Sequence, residues 1–135
     1  MDTIDGSLET IIRIWKKEEV VLPIIKEYFG KNISSNQERF AKYDFFDDDT
    51  NYELKSRTNT KDYYPTTMIT KSKVEDCDKD LKLLFNFKDC LAYIQYDEEQ
   101  FKNYTTENFS RLGADWDEKP HLYIPVNHLT VIQTY

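Results

Sequence analysis

Tyr43-Asp44-Phe45-Phe46, then Asp47-Asp48-Asp49-Thr50, then Asn51-Tyr52-Glu53-Leu54-Lys55-Ser56-Arg57 is the stretch on which the fold of this chain turns. Aromatic residues before the acidic run, and alternating character after it, predict two strands, Phe40 to Phe46 and Asn51 to Arg57. The acidic and hydroxyl residues between them favour a turn, because their side chains hydrogen-bond to nearby backbone. The same run is not a calcium loop of the EF-hand kind, since the glycine and the distal glutamate of that pattern are missing. Residues two apart on a strand share a face, so Glu53 and Lys55 project together while Tyr52, Leu54 and Ser56 take the other side.

Upstream, Ser7 to Phe29 reads as a helix, with Ser7 as N-cap, Gly30 as the stop and Pro23 kinking or splitting it. Leu8, Ile11, Ile14, Trp15, Val21, Leu22, Ile25 and Phe29 fall on one face of that helix, opposite Arg13, Lys16, Lys17, Lys26 and Glu27. Glu18 breaks the pattern by falling near the centre of the apolar face. Downstream, Tyr64-Pro65-Thr66-Thr67 looks like the start of a short helix, Thr66 to about Glu75. Leu81 to Phe87 and Cys90 to Tyr96 form a hairpin signal across Lys88-Asp89. Glu98 to Leu112 is polar, helical or irregular, and His121 to Val126 with Leu129 to Gln133 gives closing strands. Helix, strands, helix, strands predicts an α/β (α+β) fold with a mixed sheet flanked by helices. A chain of 135 residues predicts one domain over 1–135.

Composition sets the outer bounds. With 39% hydrophobic and 15% aromatic residues the chain can bury a core and is not of the disordered class. The longest apolar run, Val20 to Ile25, contains Pro23 and is too short to span a bilayer. The polar, acidic start lacks the features of a secretory signal, which predicts an intracellular protein without membrane contact. Cys77 and Cys90 form neither a disulfide framework nor a zinc pattern. His121 and His128 lack metal-ligand spacing and read as structural. A net charge of −7 is unlike a simple nucleic-acid binder. Its distribution is uneven, however: from Lys55 to Lys73 there are five bases (Lys55, Arg57, Lys61, Lys71, Lys73) against Asp62 alone. That basic strip suits a phosphate backbone arriving beside carboxylates.

The carboxylates define the chemistry. A charged Asp44 among aromatics is costly unless compensated, and a divalent cation compensates it. Mg²⁺ prefers one or two carboxylates plus waters and substrate phosphate, and Mn²⁺ can take its place. Asp44 and Glu53 are the candidate ligands, and the helix brings Glu18, with Glu19 as the alternative, toward them. Such an ion polarises a phosphate and acidifies a water, and a second ion roughly 4 Å away could stabilise the leaving oxygen. Lys55 orients or deprotonates the nucleophile, or stabilises charge on the phosphorus centre.

Glu18, Asp44, Glu53 and Lys55, in this order and spacing, resemble the PD-(D/E)xK nuclease superfamily. That core is a helix carrying Glu, a strand carrying Asp, a strand carrying Glu/Asp-x-Lys, then a helix and further strands. The proline before the motif Asp is Tyr43 here. The continuation through Lys55-Ser56-Arg57 and Tyr64-Pro65-Thr66-Thr67-Met68-Ile69 to Lys71-x-Lys73 resembles small viral or phage members. In those a basic or amide residue on the following helix often supports the site; Lys71 and Lys73 are the candidates here, the spacing does not decide between them, and with Arg57 they are the candidates for contacts to nucleic acid. A composition rich in Tyr, Asn, Lys and Asp and poor in Gly and Ala resembles that of an AT-rich genome such as a large DNA virus. The resemblance implies a restriction-endonuclease-like core and Mg²⁺-dependent phosphodiester cleavage far more than it implies a substrate; the leading reading is an endonuclease cutting DNA in preference to RNA, with a homodimer as the expected assembly. Two other readings stand beside it: a catalytically silent nuclease fold that binds nucleic acid or a protein partner, and an RNA endonuclease of the same fold. The last usually has a His among its metal ligands, and no His precedes Asp44.

Overall fold

The first helix, α1 (Leu8–Phe29), ends where Gly30 takes a left-handed conformation (φ 62°) and donates its amide to the Lys26 carbonyl at 3.0 Å. Only glycine adopts that backbone without strain. The computed structural model describes residues 8–38, 40–110 and 118–135, with α1 side chains from residue 17 onward. Ser7, expected as the N-cap, lies outside the described residues, as do the side chains of Leu8, Ile11, Arg13, Ile14, Trp15 and Lys16. Pro23 does not split α1; it sits on the exposed face, where water can reach the carbonyl its missing N–H leaves unpaired. Among the described residues no helix is long and apolar enough to cross a membrane.

Among the described residues the architecture is mixed α+β, with few helices and two sheets. The larger sheet has six strands in the order β1-β2-β3-β5-β6-β9. These are β1 (Ser34–Ser35), β2 (Phe45–Phe46), β3 (Thr50–Ser56), β5 (Asp80–Asn86), β6 (Cys90–Gln95) and β9 (Thr130–Thr134). Only β3 and β5 run parallel, Glu53 beside Leu83 and Lys55 beside Phe85; the other pairs are antiparallel. The smaller sheet is antiparallel, β4 (Thr66–Thr70), β8 (Lys119–Pro125) and β7 (Thr105–Phe109) in that order.

Alternation along the strands gives three layers. Tyr52, Leu84 and Leu91 point to α1 and pack with Val21, Ile25, Ile33 and Phe45. Their neighbours Leu83, Phe85, Ala92 and Ile94 point the other way and pack with Ile69, Leu122, Ile124 and Val126 of the smaller sheet and its following turn. The larger sheet is therefore buried on both faces, and β5 and β6 read as continuous apolar runs for that reason.

Three expectations are corrected. The first strand is far shorter than Phe40 to Phe46: only Phe45 and Phe46 pair, and the chain bends away through Asp44. The predicted helix from Thr66 to about Glu75 is instead β4 followed by one 3-10 turn, Lys71–Lys73. Four of the five β4 residues are β-branched, and Thr67 and Ile69 are buried at alternate positions, so strand packing overrides the helix-start signal. The Glu98 to Leu112 stretch contains a single helical turn, α2 (Glu98–Phe101), N-capped by the Asp97 carboxylate, and then the exposed edge strand β7. Leu112 lies outside the described residues. The two closing strands, β8 and β9, are present, but each serves a different sheet.

Candidate active site

Asp44 sits where β2 peels away from β3. Its amide still donates to the Tyr52 carbonyl at 3.0 Å, but the Leu54 amide is accepted by the Asp44 carboxylate, Oδ2, at 2.8 Å. A side-chain oxygen thus replaces a backbone carbonyl in the ladder, fixing the orientation of the Asp44 carboxylate at the strand edge. The last regular pair is Phe45 with Tyr52, so the next step along the ladder sets Asp44 opposite Glu53.

Glu53 is buried, its side chain 4% exposed, between two ammonium groups. Lys55 Nζ lies 3.2 Å from Oε2, and Lys73 Nζ lies 3.4 Å from Oε1. Oε1 nevertheless has no hydrogen-bond partner. Burial pushes the Glu53 carboxyl above its ordinary range and the charge of Asp44 pushes the same way, against Lys55 and Lys73. A carboxylate in that setting is under-compensated, which costs free energy until another cation arrives.

Glu18 comes from α1 on the other face of β3. With Lys17, Asp44, Leu54 and Ser56 it lines a cavity of about 210 Å³. Its carboxyl is also raised, by burial first and by Asp44 second. Glu19, the alternative, is exposed. Glu18 lines a cavity with Leu54 and Ser56, on the face of β3 opposite to Glu53, and Asp44 stands at the end of β2. Among the described residues no three His, Cys, Asp or Glu side chains close into a ready-made metal cage. Asp44 with Glu53 is a two-carboxylate set, which fits Mg²⁺, an ion that keeps several waters and takes the rest of its shell from phosphate. Oε1 of Glu53, paired with the Lys73 ammonium at 3.4 Å but without a hydrogen bond among the described residues, keeps a lone pair that a metal ion could use.

The basic strip does not survive as a surface. Arg57 donates through Nε to Thr67 Oγ1 at 3.2 Å and through its guanidinium to the Met68 carbonyl at 2.6 Å, tying β3 to β4. Burial lowers its pKa. Lys61 pairs with Asp62, and Lys71 is exposed on the 3-10 turn, lining a different cleft with Glu75 and Glu98. Lys73, by contrast, reaches Glu53 and donates to the Lys42 carbonyl at 2.6 Å. Of the two turn lysines, Lys73 is the one at the site.

Tyr43 was not singled out for chemistry, yet it holds that turn in place. Its hydroxyl donates to the Lys73 carbonyl at 2.8 Å, while Lys42 Nζ donates to the Glu75 carbonyl at 2.7 Å. The only signal in the sequence was its position ahead of the motif Asp. A second cavity, of about 300 Å³, opens between the sheets on the Lys55 side. No family model matches the chain, and no match was found among characterised proteins or solved structures.

Proposed function

We propose that the chain is a metal-dependent endonuclease that hydrolyses phosphodiester bonds in DNA, built on a restriction-endonuclease-like core of the PD-(D/E)xK type. The observation that carries this reading is the buried Glu53, which lies between the ammonium groups of Lys55 and Lys73 and feels the charge of Asp44 as well, so that its carboxyl stays raised. A purely structural ion pair has no need of a second carboxylate raising its free energy. Support also comes from α1, which brings Glu18 to Asp44, and from the 3-10 turn, which brings Lys73 to Glu53. The helix that usually follows the Glu-x-Lys strand is replaced here by β4 and that turn.

Asp44 and Glu53 would hold the Mg²⁺, with Mn²⁺ as substitute. Bound there, the ion supplies charge neutralisation at the scissile phosphate and lowers the pKa of an attacking water. Lys55, 33% exposed and anchored on Glu53, is placed to hold that water or a non-bridging oxygen of the phosphate whose phosphorus the water attacks. Lys73 keeps Glu53 from rotating away. Burial and the charge of Asp44 both push the Glu18 carboxyl above its ordinary range.

The test is cleavage of supercoiled plasmid, single-stranded DNA, a four-way junction and RNA with Mg²⁺ or Mn²⁺. Lys55→Ala should lower the rate by about 10²–10⁴-fold, the span of a positioned acid–base group. Mn²⁺ should raise the Tm of the native chain but not of Asp44→Ala. Cleavage that survives both substitutions, or no cleavage of any substrate, would sink the proposal. RNA cut in preference to DNA would favour the RNA endonuclease of the same fold.

A further inference from the structure

We propose that the cleft between the two sheets seats one unpaired nucleotide next to the scissile phosphate, with its base on Phe109 and His121 and its phosphates between Lys55 and Lys119. The substrate is then DNA carrying unpaired nucleotides at the cut, rather than continuous duplex. This rests on the phosphodiesterase reading of the same site.

The cleft holds about 300 Å³ and is lined by Lys55, Arg57, Thr70, Phe109, Lys119 and His121, with Met68 and Ile69 at its floor. Among the described residues none of the side chains that line it is acidic, although the chain carries a net charge of −7 and Glu107 of β7 pairs with His121. The cleft beyond Lys71 has the opposite character, with Glu75, Asp76 and Glu98 in its wall. The described linings of the two clefts thus differ in the sign of their charge, which favours an anion at the inter-sheet one. Arg57 has its donors committed to Thr67 and Met68 but still contributes its charge.

The polar end is continuous with the catalytic group, since Lys55 belongs to both the cleft and the Glu53 ion pair. The far end is aromatic. Phe109 and His121 stand edge to face, with ring centroids 5.5 Å apart at 81°. Strand pairing sets Phe109 beside Lys119, and His121 beside Thr70. His121 is held on both sides: Nδ1 donates to the Lys119 carbonyl at 2.9 Å, and Nε2 lies 3.4 Å from the Thr70 hydroxyl. A fixed imidazole and a phenyl ring that remains 39% exposed form a stacking platform at low entropic cost. The volume lies at the small end of ligand pockets, which run from roughly 300 Å³ upward, and so suits one nucleotide and excludes a duplex.

The measurement is equilibrium binding of the full chain, in EDTA so that nothing is cut, to a short single-stranded DNA carrying 2-aminopurine and to the matching duplex. The native chain should prefer the single strand and quench the 2-aminopurine. Phe109→Ala should weaken single-strand binding about 10-fold, the cost of one lost stack. It should also abolish the quench and leave duplex binding unchanged. Phe109→Leu keeps the apolar bulk and should behave like the alanine variant, while Tm shows that both fold. Lys119→Ala should weaken binding and reduce the salt slope by about one. Native-like binding by both Phe109 variants, or a preference for duplex, overturns the proposal. Tighter binding of single-stranded RNA than of DNA overturns the assignment to DNA. The two readings fail separately: a chain that cleaves but ignores Phe109 loses only the cleft. A chain that binds through Phe109 yet never cleaves with Mg²⁺ or Mn²⁺ loses the nuclease reading.

Discussion

The two sheets of this molecule are built to opposite rules. In β5, Leu83, Leu84 and Phe85 are consecutive and all fully buried, because α1 covers one face of the larger sheet and the smaller sheet covers the other. In β7 every residue from Thr105 to Phe109 is exposed. Between these extremes β4 and β8 alternate, with Ile69, Leu122 and Ile124 turned inward. The difference teaches where each task can be carried. A strand packed on both faces holds Glu53 and Lys55 in fixed geometry, as the proposed catalytic role would require. An edge strand open to water can offer Phe109 to a ligand without first breaking a core.

That contrast can be broken most forcefully at the core. Phe85→Ala should cost about 3–5 kcal/mol, as large-to-small changes in a sealed core do. Thr106→Ala in β7 should stay within about 0.5 kcal/mol. Chemical denaturation of the two variants compares them directly, and similar costs would show the smaller sheet to be as tightly held as the larger.

A smaller effect is expected at the link between the sheets. Arg57→Ala removes the bonds to Thr67 and to the Met68 carbonyl, for about 1–3 kcal/mol. Hydrogen exchange should show the added opening in β4, β8 and β7 first. Uniform acceleration across β5 and β6 would mean that the sheets open as one unit.

The smallest effect sharpens the comparison at Glu53 itself. Its carboxyl is raised above 4.5, so the folded state holds its proton more tightly than the unfolded chain does. Stability from this group is therefore present at low pH and declines as pH rises from about the unfolded value through the folded one. Glu53→Gln should raise Tm slightly at neutral pH while abolishing cleavage, and the advantage should vanish as pH falls toward 4.5. A Tm that drops at neutral pH would show that the pairs with Lys55 and Lys73 outweigh the burial.

The residues themselves determined much of this. Period-two alternation placed Glu53 and Lys55 on one face of β3, because side-chain direction in a strand is a local property. The β5–β6 hairpin, the Gly30 stop and the odd placement of Glu18 on an apolar helix face were equally local. Tertiary structure alone decided the rest. β4 is a strand because β8 offers it a partner, although Tyr64-Pro65-Thr66-Thr67 also suits the start of a helix. β2 ends at Asp44 because that residue's carboxylate, rather than a backbone carbonyl, takes the Leu54 amide. Lys73 rather than Lys71 meets Glu53 because Tyr43, thirty residues away, holds the turn. Phe109, Lys119 and His121 share a cleft with Lys55 only because two sheets close on each other. Contacts between distant segments are set by packing free energy summed over the whole core, and no window of sequence contains that sum.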